Sequence, residues 1–166
     1  INCVALRYFN VAGYDVEAGS EQIRYQPNKL IDIIIDTAHK NQTFKINGDS
    51  HPTKDGTCVR DYVHVMDVAE ANIKALSYCR DNKNFEIFNI GSGIPTSNLE
   101  VINEVQRHLG KINTEIGDAR KEVSHSLADI TKAKEILDWK PAQSSIDKVV
   151  ASAVKWYNMT HKKEIQ

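Results

Sequence analysis

The sequence predicts an α/β fold, and three observations carry that reading. Runs rich in β-branched and aromatic residues alternate with segments whose apolar residues recur every three or four positions. Glycine, proline and Asp/Asn pairs mark the junctions between them. The strand-like runs are short and few beside about four helices, and 166 residues suit one domain.

The first strand is the run Cys3-Val4-Ala5-Leu6-Arg7-Tyr8-Phe9, apolar enough to read as a central strand. Residues 11–25 are polar, carry two glycines and read as a loop. Residues 28–41 place Leu30, Ile33, Ile34 and Ala38 on one helical face. A short strand at 43–46 closes on Asn47-Gly48-Asp49, which is turn chemistry. Pro52 and Asp55-Gly56 then punctuate a loop, and Thr57, Cys58, Val59, Tyr62, Val63 and Val65 form a partly buried strand. A helix over about 66–80 carries Val68, Ala71, Ala75 and Cys79 on one stripe. Residues 85–90 are a strand running into Gly91-Ser92-Gly93-Ile94-Pro95. Ser97 and Glu100 make a capping box for a helix with Val101, Ile102, Val105 and Leu109 inward, ending at Gly110. Residues 113–116 allow a short strand, and a helix near 130–137 precedes Trp139 and Pro141. Ile146, Val149, Val150, Ala153 and Tyr157 define the last helix, and the tail from His161 is expected to fray.

Composition excludes several classes. Net charge is −1, and the lysines and arginines are scattered, which argues against a nucleic-acid surface. No apolar run approaches the roughly 20 residues of a membrane span; the longest, residues 30–35, is broken by Asp32. The three cysteines, Cys3, Cys58 and Cys79, show no metal-like spacing and read as buried thiols of a cytoplasmic protein. His51, His64, His108 and His125 likewise show no ligand spacing and default to solvated or core roles. A strand this apolar at the very start, without a signal-peptide layout, makes the chain read as a fragment.

Two segments could carry chemistry. Arg60 lies inside the strand over 57–65, where a guanidinium needs an anionic partner. That partner is either Asp61 or Asp67 in a structural ion pair, or a phosphate or carboxylate of a ligand. Phe9 and Asn10 close the first strand, and open α/β sheets bind ligands outside the carboxyl ends of their strands. Gly91-Ser92-Gly93 lacks the third glycine of a dinucleotide fingerprint and reads as close backbone passage before a helix.

The stretch HPTKDGTCVRDYVHV over 51–65, with Arg7-Tyr8-Phe9-Asn10, resembles the extended short-chain dehydrogenase/reductase family, and within it the UDP-glucose 4-epimerases. The resemblance implies the C-terminal, substrate-binding part of an extended Rossmann-type fold over residues 1–166, opening on a strand of an NAD-binding domain that is otherwise missing. It implies the cofactor NAD, touched by Phe9, and a UDP-hexose substrate that Asn10 hydrogen-bonds. Arg60 would grip the diphosphate, and Arg120 would complete that clamp. Leu30, in Pro27-Asn28-Lys29-Leu30, would lie near the uracil, and Lys45, Ile46 and Asn47 would flank it by backbone. Lys29 stands where the family more often has Asn or His and reads as a solvated lysine. Residues 118–129 resemble an arginine-bearing loop and its H-S-x-A-D segment, but Lys121-Glu122 and then Val123 stand where the family has Gly-Asp: either the loop is shortened, or Arg120 is displaced and Glu122 takes the ribose-binding carboxylate role. Ser126 would stand beside the C2 substituent of the sugar, where a small residue leaves room for an N-acetyl group.

The epimerase reaction that the resemblance implies passes a hydride from C4 of the sugar to NAD and back through a 4-keto intermediate. It needs a glycine-rich pyrophosphate loop and a Tyr-x-x-x-Lys pair. No G-x-x-G-x-x-G occurs, and the one Tyr-x-x-x-Lys match, Tyr25–Lys29, lies downstream of the first strand instead of upstream. The chain alone is therefore expected to be inactive, and a homodimer is expected at full length. Another nucleotide-sugar epimerase or dehydratase, and a non-catalytic nucleotide-sugar-binding module, are the alternatives.

Overall fold

The computed structural model describes residues 2–17, 27–82 and 84–161. Residues 18–25 of the long loop, Tyr25 of the Tyr25–Lys29 match and the tail beyond His161 lie outside the described residues. In chain order the elements are β1 (Cys3–Tyr8), β2 (Asn10–Ala12), α1 (Leu30–His39), β3 (Phe44–Asn47), β4 (Val59–His64) and α2 (Val65–Asp81). Then come β5 (Phe85–Ile90), β6 (Pro95–Ser97), α3 (Asn98–Leu109), β7 (Thr114–Gly117), α4 (Thr131–Ile136) and α5 (Ile146–His161). The α/β alternation is as expected, and the described residues hold five helices, one at each of the five helical segments read above and one more than the rough count of four.

Three differences from the expectation concern strands. Asn10–Ala12 sits in a stretch read as loop, yet it pairs in parallel with β4, Asn10 opposite Tyr62. Pro95–Ser97 pairs antiparallel on the other side of β4, Val59 opposite Ser97. Strands of three residues have no periodicity of their own; β4 creates them by offering both its edges. Proline is tolerated in β6 because it lies at the sheet edge. The first strand, expected to be central, pairs only with β5 among the described residues and is exposed or half-buried along its length. Cys3 is accordingly exposed and Cys79 half-exposed, whereas Cys58 is buried as expected.

Two apolar clusters fill the interior. One joins Ile31, Ile34 and Ile35 of α1 to Phe44 and Ile46 of β3, with α3 and α5 closing over them. The other packs Val68, Ala71 and Ala75 of α2 on Phe88 and Ile90 of β5, closed by Ala133, Leu137 and Trp139. Each fully buried aliphatic side chain contributes about 1.5–3 kcal/mol before entropy is counted. β4 stands between them, Tyr62 belonging to the first cluster and Val63 to the second. Successive side chains of a strand point to opposite faces, so one strand serves both cores.

The helix ends are held by local bonds. Ser97 Oγ accepts from Glu100 N at 3.1 Å, and Ser97 N donates to Glu100 Oε2 at 2.8 Å, the expected capping box. Gly110 ends α3 at φ 84°, a left-handed conformation that suits glycine. His64 caps α2, its Nδ1 accepting from Met66 N at 3.2 Å.

Candidate functional site

A cleft of about 980 Å³ opens where the carboxyl end of β1, β2, the start of α1 and β4 converge. The parallel pairing of β2 on β4 brings Asn10 beside Tyr62, so the residues after β1 are delivered to the arginine strand. Leu30, Ile31 and Asp32 line the cleft from the first turn of α1, whose leading N–H groups have no intrahelical partner.

The alternation of β4 sorts its two charged residues. Asp61 is 0% exposed. Its Oδ1 accepts from Ser92 N at 2.6 Å and Ser92 Oγ at 2.8 Å, and its Oδ2 from Gly93 N at 3.0 Å and Ala128 N at 3.1 Å. The Gly91-Ser92-Gly93 loop therefore cradles an anion, but an internal one. It passes so close that a Cβ at Gly91 would meet Ala128 Cβ at 2.5 Å and Asp61 Oδ2 at 2.7 Å, the close backbone passage expected.

Arg60 points the other way, into the cleft, with 18% of its side chain exposed. Its Nη1 donates to Val59 O at 2.9 Å and its Nη2 to Glu122 Oε2 at 2.6 Å. Neither Asp61 nor Asp67 is its partner, which corrects the ion pairs considered above. Neighbours on a strand face apart, and Asp67 is spent on Ala142 N, Gln143 N and Ser144 Oγ, the last at 2.5 Å. Glu122 reaches Arg60 because Val59 pairs with the chain 65 residues on: Val59 N donates to Ser124 O at 2.9 Å, and Ser126 N to Val59 O at 3.1 Å.

Of the expected residues, Phe9, Asn10, Leu30, Asn47, Arg60, Arg120 and Glu122 come together on the walls of this one cleft. Lys45, Ile46 and Ser126 are not on its walls. Ile46 is buried in the first apolar cluster, Lys45 is exposed across from Glu115, and Ser126 is half-buried against β4. Lys29 is exposed as expected, yet it also lines the cleft, where its Nζ donates to Val11 O at 3.3 Å.

Sequence reasoning missed part of the wall. Tyr14 stacks on Trp156, ring centroids 5.2 Å apart, and its hydroxyl donates to Asp32 Oδ2 at 3.0 Å. Burial raises the Tyr14 hydroxyl above its ordinary pKa, with Asp32 adding to the shift. Burial also raises Asp32, against the hydrogen bond from Tyr14 and the charge of Lys29. Tyr62 is pushed up to about 12 by burial, opposed by Arg60. Asp32 was the available signal: a carboxylate interrupting an apolar helical run, which here is buried.

Behind this wall His64 Nε2 meets Ser152 Oγ at 3.1 Å, and Ser152 Oγ accepts from Tyr14 N at 3.1 Å while donating to Val149 O at 2.8 Å. Because Nδ1 accepts at the cap, Nε2 carries the proton in this network. Burial lowers the His64 pKa, with Asp67 and Asp15 pulling the other way.

Strand ends deliver a paired arginine, a second arginine, amides and an aromatic wall into one cleft, an arrangement that can hydrogen-bond a polar, anionic ligand. The model of the NAD dependent epimerase/dehydratase family matches residues 1–91, and the chain belongs to that family. It is 41% identical over 157 residues to a UDP-glucose 4-epimerase of Lacticaseibacillus casei, covering 93% of this chain and 47% of that protein. A UDP-glucose 4-epimerase of Drosophila melanogaster is 35% identical over 159 residues, 92% of this chain and 45% of that one. Among solved structures, UDP-glucose-4-epimerase from Stenotrophomonas maltophila, with bound NAD and formylated UDP-arabinopyranose, matches with TM-score 0.87 and 31% identity, over 96% of this chain and 48% of that one. The Bifidobacterium longum UDP-glucose 4-epimerase in complex with NAD+ and UDP matches with TM-score 0.82 and 31% identity, over 94% and 47%. The chain spans about half the length of the curated relatives it matches. No helix among the described residues is long and apolar enough to cross a membrane.

Proposed function

We propose that this chain is the UDP-sugar grip of an NAD-dependent UDP-hexose 4-epimerase, an isomerase that interconverts UDP-glucose and UDP-galactose. The observation that carries the proposal is Arg60, aimed from β4 into the cleft, tied to Glu122 and lining the same cleft as Arg120 and Asn10. Two guanidiniums on one cleft suit a diphosphate, which accepts bidentate, charge-assisted hydrogen bonds. Leu30 and Asn47 supply the wall for the base, Asn10 donates and accepts at the sugar–phosphate junction, and Glu122 takes a ribose hydroxyl.

NAD, when bound, supplies a hydride acceptor and donor for C4 of the sugar. Phe9, half-buried at the end of β1 and on the cleft wall, fits the apolar side of a nicotinamide. The glycine-rich pyrophosphate loop and an upstream Tyr-x-x-x-Lys pair are not in this sequence, so this chain orients the sugar and excludes water but moves no proton itself. We propose further that the intact protein acts as a homodimer in the cytoplasm, and that Ser126, off the cleft wall but hydrogen-bonded to Val59 next to Arg60, comes beside the sugar only when the substrate is bound.

The test is Arg60→Ala in the intact protein, with UDP affinity measured by calorimetry. A grip on the diphosphate predicts a loss of about 1.5–3 kcal/mol, the range for hydrogen bonds to charged groups. An unchanged affinity per folded molecule, with only a lowered melting temperature, would make Arg60 a structural residue and remove the proposal's support.

A further inference from the structure

Beneath the Arg60–Glu122 pair lies a second constellation that the spacing of residues in the sequence hides. His51, Cys58 and Glu122 each offer one ligand atom, and these atoms all lie within 4.8 Å of one another. His51 Nε2 is buried and has no hydrogen-bond partner among the described residues. An imidazole nitrogen sealed from water without a partner carries an uncompensated desolvation cost. Cys58 is 2% exposed and its thiol lies beside Glu122. Nothing in the grip on an anionic ligand uses the imidazole or the thiol.

The loop that holds these side chains is firmly braced. His51 N donates to Gly56 O at 2.9 Å, and Thr53 Oγ1 donates to Thr57 O at 2.6 Å. Asp55 accepts from Thr57 N at 2.9 Å and Thr57 Oγ1 at 2.7 Å through Oδ1, and from Ser97 Oγ at 2.5 Å through Oδ2. Gly56 turns at φ 77°, and a Cβ there would meet Asp49 O at 1.8 Å, so only glycine closes the turn. From the other side, the pairing of Val59 with Ser124 and Ser126 fixes the chain that carries Glu122. Imidazole, thiol and carboxylate are therefore presented by two segments whose backbones are already tied.

We infer that His51, Cys58 and Glu122 form a binding site for a borderline-soft divalent cation of the zinc type, with one coordination position left open. The donor set is one nitrogen, one sulfur and one oxygen, the mixture that suits Zn²⁺ and is poor for Mg²⁺ or Ca²⁺. Zinc bond lengths of about 2.0–2.3 Å in a tetrahedral frame need donors roughly 3.3–3.8 Å apart, so side-chain rotation of about 1 Å closes the site. Binding displaces the Cys58 thiol proton to solvent, and the metal–sulfur bond takes its place with no change of oxidation state. A carboxylate has two oxygens, so Glu122 can keep Arg60 on Oε2 and offer Oε1 to the ion. One thiolate and one carboxylate face the divalent ion and the Arg60 guanidinium, which leaves one positive charge for an anion or hydroxide at the open position to balance.

The test uses the intact protein, freed of metal and titrated with Co²⁺ alone, in a Cys3→Ser, Cys79→Ser background that removes the other two thiols of this sequence. One equivalent of Co²⁺ should give the near-ultraviolet thiolate-to-cobalt charge-transfer band with visible bands of four-coordinate cobalt, and one equivalent of Zn²⁺ should bleach both. Cys58→Ser should lose the charge-transfer band, and His51→Gln should weaken Co²⁺ binding about tenfold or more. Far-ultraviolet circular dichroism of each metal-free variant verifies that it is folded; Cys58→Ala replaces Cys58→Ser if the serine variant is not. Absence of the band at stoichiometric Co²⁺, or its persistence in either Cys58 variant, would overturn the inference. So would a binding constant unchanged by His51→Gln.

Discussion

Replacing Asp61 should loosen the whole back of the cleft, and the cost can be worked from its four hydrogen bonds. The carboxylate accepts from Ser92 N, Ser92 Oγ, Gly93 N and Ala128 N, at 2.6, 2.8, 3.0 and 3.1 Å, with no exposure to solvent. Asp61→Ala leaves three backbone N–H groups without their acceptor, at about 1–3 kcal/mol each if nothing relaxes. The Ser92 hydroxyl can turn toward Ile94 O, already 3.4 Å away, and water can enter the vacated space, so the sum does not add fully. The expected loss is about 3–5 kcal/mol. Asp61→Asn is the sharper experiment. One oxygen survives and keeps two of the bonds, but the amide places N–H groups against the other two donors. It should cost about 2–4 kcal/mol despite its shape. The assay is equilibrium urea unfolding of the intact protein, comparing midpoints at constant slope. A loss below about 0.5 kcal/mol for Asp61→Asn would refute the reasoning, because the charge and second oxygen would then not be holding the Gly91–Gly93 loop.

Three further outcomes are expected. Burial lowers the folded-state pKa of His64, so its contribution is present above the unfolded value near 6.5 and is lost as pH falls through the folded value. The unfolding free energy should therefore drop on going from pH 7 to 5, by up to about 1.4 kcal/mol per pH unit from this group, and His64→Asn should flatten that slope. Ser126→Tyr in the intact protein should lower kcat/KM for UDP-N-acetylgalactosamine relative to UDP-galactose by about tenfold or more, roughly 1.4 kcal/mol; an unchanged ratio means Ser126 is not beside the sugar. This chain expressed by itself should show no turnover of UDP-galactose with added NAD, and activity above a buffer blank would contradict the division of labour proposed for it.

What was legible in the sequence was whatever the chain decides locally. The Ser97–Glu100 box, the Gly110 cap and the β-branched run around Val59 each depend on residues within a few positions, and each appears as expected. Arg60 was legible as a charge needing an anion, but its partner was not. The choice among Asp61, Asp67 and Glu122 turns on which face of β4 each one meets and on a loop 62 residues away. Asn10–Ala12 and Pro95–Ser97 were invisible for the same reason, since β4 induces both as strands. Phe9, Asn10, Leu30, Asn47, Arg60, Arg120 and Glu122 were found through the motif resemblance, seven of the 22 residues that line the cleft. Tyr14, Asp32 and Trp156 were not, because their association is a contact between a loop and two helices that no motif encodes.

The position of β4 also sets a timetable for synthesis. Its side chains and those just after it are completed by partners far downstream: Asp61 by Ala128, Asp67 by Gln143, and His64 by Ser152, 88 residues later. A ribosome adding about 5–20 residues per second takes roughly 4–18 s to supply that last partner. Until those partners are made, Asp61 and Asp67 keep their charges in water and the apolar faces of β4 stay open. The nascent chain is thus obliged to wait, and its passage through that window depends on how well the unfinished strand is shielded from its neighbours.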